Sequence, residues 1–293
     1  MAFDFYFAGT QALETEELIV KLGGNVLKSY VNDRKTIERF FRYKKEGWTG
    51  KLLIDSGAFT VHRKGGELDL DSYIQWINDN DEYIDYAIEI DHIPGKWGQP
   101  RTREEVLMAP KISYENYLYM RKRLKSPNKL LPVFHQYESF DWLVKLLETP
   151  GCEYICLSGN KELTNKQRED WYEKCYSYIR RINPKVKIHC LGSATLQNVE
   201  KFPFTSMDAT SWIMTGANGG ILTDKGVVYV GNTSALNEQE VQAVNEMLQK
   251  YNYTLKEAQE DYKVRMLINI HYLHEKSKTI SFKGLFRSRR TLF

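Results

Sequence analysis

Residues 51–59 read KLLIDSGAF, a short apolar run that stops on an acid, a serine and a glycine. A run this short bounded by glycine reads as a strand buried on both faces. The same grammar recurs on either side. The other runs are FDFYFA (3–8), NVLKSY (25–30), IDYAIEI (84–90), LLPVF (130–134), EYICL (153–157), KIHCL (187–191) and TSMD (205–208). Between them lie helical patterns. Residues 36–45 place Ile37, Phe40 and Phe41 on one face, and residues 71–78 repeat this with Tyr73, Ile74 and Ile77. Residues 113–124 and 165–182 are longer and carry basic residues and tyrosines.

Strands alternating with helices imply parallel pairing through right-handed crossovers. Eight such units within the first 208 of 293 residues fit an α/β fold, a closed TIM (β/α)8 barrel, in a length one barrel can fill. An open doubly wound sheet is the competitor, but no G-x-G-x-x-G follows the first strand. Residues 220–230 read as a hairpin turning at Asp224-Lys225-Gly226. Two helices follow, starting at capping boxes Asn237/Glu240 and Thr254/Glu257. The expected organisation is a barrel with its hairpin over 1–235, and C-terminal helices with a basic tail over 236–293.

With 42% hydrophobic and 27% charged residues, the chain is neither disordered nor fibrous. No stretch reaches the ~20 apolar residues of a membrane span. The N-terminal MAFDFYFAGT lacks the basic start of a signal peptide, so the cytoplasm (the host's, if phage-encoded) is the expected location. Cys152, Cys156, Cys175 and Cys190 form no C-x-x-C pair and read as buried reduced thiols. A net charge of +3 does not by itself point to nucleic acid.

In a barrel, chemistry gathers at the C-terminal ends of the strands. Here those ends carry Asp55-Ser56-Gly57, Asp91-His92, His135-Gln136, Ser158-Gly159-Asn160, Gly192-Ser193 and Asp208. Each alone fits a helix cap or a turn. Together they supply paired carboxylates, as chemistry at an anomeric carbon requires: one attacks, and the other protonates the leaving group. Phe59, four residues after Asp55, is placed to stack on a flat heterocycle or to pack in the core.

These residues resemble the tRNA-guanine transglycosylases. Residues 54–59 (IDSGAF) look like that family's D-S-G-G-F-Q signature, and Ile90-Asp91 resembles its base-recognition aspartate. Val133-Phe134-His135-Gln136 is similar to its V-Q-G station, Leu157-Ser158-Gly159 to its A-V-G-E loop, and Cys190-Leu191-Gly192-Ser193 to its L-M-G-V-G strand. Asp208 falls where the family has its nucleophile, and Gly220 through Gly226 resembles the hairpin that follows it. The likeness covers residues 50–235.

The resemblance implies that Asp208 attacks the sugar and that Asp55 is general acid and base. It places Ser56, Phe59, Asp91, Gln136, Ser158 and Gly159 at the base, with configuration retained and no ATP or redox cofactor. Departures are equally informative. The family's zinc motif needs cysteines after the barrel, and none follows Cys190, so no metal or other cofactor is expected. His271 and His274 read as packing or surface residues rather than ligands. Ala58 and Thr60 replace Gly and Gln, His135 precedes Gln136, and Trp212 follows the nucleophile where tRNA enzymes have C-V-x-P-T-R. This pattern resembles the divergent branch of phages and bacterial islands that exchanges guanine in DNA for a 7-deazaguanine.

The implied partners are DNA and a free 7-deazaguanine base, with no membrane; a homodimer or a partner subunit is compatible with the pattern. Phosphate contacts are expected from Arg121, Lys122 and Arg123, from residues 34–51, and from the tail with Arg287, Arg289 and Arg290. A solvated helix face gives the same charge pattern. Two alternatives stand beside DNA exchange: the same exchange on tRNA, and a catalytically silent subunit that only binds nucleic acid.

Overall fold

The computed structural model describes residues 3–10, 12–160, 162–192, 195–231 and 236–284. Nine parallel strands form a nearly closed barrel flanked by helices, in the order β5-β4-β3-β2-β1-β9-β8-β7-β6. They are β1 (Asp4–Ala8), β2 (Asn25–Ser29), β3 (Leu52–Asp55), β4 (Tyr86–Ile88), β5 (Leu130–Leu131), β6 (Val133–His135), β7 (Tyr154–Ser158), β8 (Lys187–Cys190) and β9 (Ser206–Ala209). The helices between them are α1 (Leu13–Lys21), α2 (Arg34–Lys45), α3 (Ala58–Arg63), α4 (Leu70–Asp79), α5 (Arg103–Arg123), α6 (Phe140–Glu148), α7 (Asn165–Ile182) and α8 (Leu196–Lys201).

Nine strands arise from eight runs because Pro132 divides the fifth. A proline has no N–H for the ladder, so regular pairing breaks there. Leu130–Leu131 pairs with β4, Val133–His135 pairs with β7, and the two ends of the sheet are joined through Pro132 itself. Cys156 N donates to Pro132 O at 2.8 Å. The Glu89 side chain reaches across the seam, and its Oε1 accepts from Val133 N at 2.8 Å. Burial pushes the Glu89 carboxyl well above its usual range, which favours the neutral acid there. Glu89→Gln is expected to leave stability nearly unchanged, whereas Glu89→Ala orphans a buried N–H and opens a cavity, costing about 2–4 kcal/mol. Urea unfolding of the two variants checks this; equal losses would remove the hydrogen-bonding role.

Side chains alternate between two cores, as strand periodicity requires. Tyr6, Leu53, Ile88, Leu131, Val133, Tyr154 and Cys156 pack together inside the barrel. Phe7, Val26, Ile54, Phe134, Leu157 and Ile188 face the helices. Helix α5 starts ten residues before the expected Ser113: the Thr102/Glu105 capping box nucleates it, and Pro110 is accommodated inside it.

After β9 come α9 (Ser211–Ala217), the hairpin β10 (Gly220–Thr223) and β11 (Gly226–Tyr229), and helices α10 (Glu238–Lys250), α11 (Leu255–Glu260) and α12 (Tyr262–Thr279). Both expected capping boxes are present. Ile221, Val228 and Val230 of the hairpin share a small core with Val244, Leu248, Ala258 and Ile268. Buried Asn269 of α12 ties the pieces together, accepting from Leu222 N at 2.7 Å and donating to Trp212 O and Gly220 O, each at 3.3 Å. Residues 232–235, where the expected domain boundary falls, lie outside the described residues. No helix among the described residues is long and apolar enough to cross a membrane.

Candidate active site

Asp55 ends β3 and shares the inward parity of Leu53; Asp208 on β9 shares that of Ser206. The turn after β3 needs Gly57. Its φ is +80°, and a Cβ there would stand 2.8 Å from both Ser29 Oγ and Val31 Cγ2. This turn folds the Gly57 N–H back onto Asp55 Oδ2 at 3.2 Å, with Ser56 fully buried beneath it. Burial, then the charge of Asp91, then that of Asp208 push the Asp55 carboxyl up to about 7, against the pull of the Gly57 amide. Asp55 keeps a partial opening to the barrel mouth, and its proton is held by the dense shell and the two acids around it.

Asp208 is held differently. Gly192 N donates to its Oδ1 at 2.7 Å. His189 Nε2 lies 3.3 Å from the same oxygen without forming a hydrogen bond to it. The other ring nitrogen, His189 Nδ1, is 2.5 Å from Ser206 Oγ, which lies 2.5 Å from the Tyr154 hydroxyl. His189 is fully buried in the lumen, with the Tyr6 ring edge-on at 5.8 Å.

Asp91 stands three residues past β4 and bonds His135 Nε2 at 2.9 Å. Burial lowers the basicity of His135, but the hydrogen bond and charge of Asp91 outweigh it, and the net shift is upward. Glu138, whose Oε2 accepts from His135 N at 3.2 Å, is itself raised to about 7 by burial against the opposing effect of His135. Arg101, from the loop after β4, acts electrostatically on both His135 and Tyr137.

The expected catalytic pair, Asp55 and Asp208, and Asp91 of the expected base-binding set come together at the mouth, close enough for Asp91 and Asp208 to act on Asp55. Ser158 pairs in register with His135, and Gly159 is buried directly after it. Gln136 is committed elsewhere. Its Oε1 accepts from Asn160 N at 2.9 Å and its Nε2 donates to Gln167 O at 3.1 Å, so the amide pins the loop after β7 to α7. Phe59 projects at the rim, edge-on to Trp97. A cleft of about 810 Å³ opens there between α3 and the loop after β4; Asp91 is on its wall, whereas Asp55, Asp208 and Gln136 are not.

The basic clusters fall elsewhere. Helix α5 leads from the end of β4 back to the start of β5, so Arg121, Lys122 and Arg123 lie at the opposite end of the barrel from the carboxylates. Arg121 Nη1 donates to Pro150 O at 2.8 Å, and the Arg123 guanidinium lies 3.4 Å from the centroid of the Tyr119 ring. Arg287, Arg289 and Arg290, like Ser193 and Phe286, lie outside the described residues. Among the described residues no group of three or more His, Cys, Asp or Glu is arranged to hold a metal, and all four cysteines are buried and outside any disulfide. Sequence reasoning passes over His189, Trp97 and Arg101. For the latter two the signal is the loop HIPGKWGQPR (92–101), which sets a tryptophan among glycines and cations. The chain matches no family model and no curated protein.

Proposed function

We propose that the chain is a base-exchange transglycosylase that replaces guanine in DNA by a 7-deazaguanine through a covalent aspartyl-sugar intermediate. One observation carries this reading: Asp55, raised to about 7, shares the barrel mouth with Asp208, whose carboxylate is oriented by a backbone amide. Two acids with different environments, one able to hold a proton near neutrality, are the acid and nucleophile of glycosidic exchange.

In the first step Asp208 attacks C1′ of the sugar. Its Oδ1 is held by Gly192, while Oδ2 has no hydrogen bond among the described residues and is the attacking oxygen. The bond from C1′ to the base breaks, and Asp55 gives its proton to the departing guanine. The free 7-deazaguanine then loses its ring N–H proton to Asp55, and that nitrogen displaces Asp208 from C1′. Two inversions retain the β configuration. Asp91, ordered by His135, reads the polar edge of the base, with Ser56, Ser158 and Gly159 around it and Phe59 at the rim.

The test is an exchange assay with labelled guanine and labelled 7-deazaguanine, offered with DNA and, separately, with tRNA. Label is expected in DNA. Incorporation confined to tRNA moves the substrate to tRNA, and no incorporation into either overturns the enzymatic reading in favour of a silent binding subunit.

A further inference from the structure

The loop after β4 places Trp97 between Gly95 and Gly98, both at φ +75°, where its ring stands 51% exposed. Phe59 faces it, 55% exposed, with ring centroids 5.4 Å apart and planes at 89°. The other five tryptophans are buried or half-buried. A single exposed ring needs no explanation, but a protruding aromatic pair on the rim of a cleft is a binding feature. The cleft, at about 810 Å³, is in the size range of ligand sites. Its wall carries Arg63, Lys64 and Lys96, none in an ion pair among the described residues, against the acids Glu67 and Asp91. Asp91 is already engaged by His135, so an anion entering the outer cleft meets mainly cations.

Free cations beside an exposed ring suit a phosphate joined to a flat base. In a duplex every base is stacked and its face hidden, so a ring such as Trp97 has nothing to stack on. We infer that this cleft is a subsite for an unpaired nucleotide adjoining the one being exchanged, its phosphate held by Arg63, Lys64 and Lys96 and its base stacked on Trp97. This rests on the exchange reading above and narrows its substrate to a nucleic acid whose strand is open around the target.

The experiment is binding by the wild-type chain without any free base, followed by tryptophan fluorescence and salt titration. The probes are a guanine-containing single-stranded oligodeoxynucleotide, the same sequence as duplex, and inorganic polyphosphate. The single strand is expected to quench emission and bind tightest. Trp97→Ala is expected to weaken it roughly tenfold to a hundredfold, with Trp97→Phe restoring most of the affinity. Arg63→Gln, Lys64→Gln and Lys96→Gln combined are expected to flatten the salt slope by about 0.7, the share of the one phosphate they hold. Polyphosphate binding as tight as the oligonucleotide's, or equal binding of duplex and single strand without quenching, overturns the subsite. Exchange activity with an unchanged KM in Trp97→Ala overturns the subsite and leaves the exchange reading intact. Quenching by the single strand with no exchange in the wild type removes the exchange reading alone.

Discussion

Asparagine at Asp208 is expected to reduce base exchange at least a thousandfold and to abolish the protein–nucleic acid adduct. An amide cannot form the glycosyl ester, so the covalent step disappears rather than slows. The substitution is gentle on the fold, because the asparagine carbonyl still accepts from Gly192 N, as Asp208 Oδ1 does at 2.7 Å. Binding should therefore survive while chemistry is lost. Denaturing gels that trap the adduct, together with label incorporation, decide it. Activity near the wild-type rate would remove Asp208 as nucleophile.

Asp55→Asn should act on activity and stability in opposite directions. Loss of the acid and base is expected to slow exchange by roughly 10²–10⁴-fold. In the wild type the pH–rate profile should carry a limb near 7, the value to which burial and the neighbouring Asp91 and Asp208 push this carboxyl. A profile flat from pH 5.5 to 8.5 would remove the assignment. For stability, the folded pKa lies above the unfolded one, about 3.9. The folded state therefore prefers the protonated form. Stability from this group is fully present at acid pH, below its unfolded pKa, and is lost as pH rises through about 7. Above that the buried charge destabilises the fold, and Asn removes it. Asp55→Asn is expected to gain roughly 2–4 kcal/mol at pH 8.5 and almost nothing at pH 4. Thermal unfolding at both values reads the difference, and equal shifts would show that Asp55 titrates normally.

Much of this site can be read from the chain because strand ends announce themselves. Asp55-Ser56-Gly57 follows an apolar run, and only glycine satisfies the turn at +80°. Asp208 can be placed by counting runs. What escapes depends on neighbours that sequence order separates. Asp91 and His135 meet because Pro132 joins the two ends of the sheet, which no local pattern states. His189 sits in mid-strand, where alternation says only that it points inward, not that an acid lies beside it. Gln136 has the right type and position, yet its amide spans Asn160 and Gln167. Arg121, Lys122 and Arg123 show that a charge cluster tells nothing of which end of a barrel it decorates, although the direction of α5 does. The helical pattern of α5 is legible only from Ser113, beyond Pro110, but a capping box upstream of that proline starts the helix.

The position of β1 between β2 and β9 bears on how the chain is born. The partner of Asp4 is Ser206, so one edge of the first strand waits for the last. At ribosomal speeds of about 5–20 residues per second, that edge stays open for roughly 10–40 s, carrying Phe5, Tyr6 and Phe7 with it. The barrel's last long-range pairing thus falls due only after some 200 residues have been synthesised, long after β2 is there to cover the other edge. Over that interval the first strand is a sticky edge whose native partner does not yet exist, open to pairing with another chain.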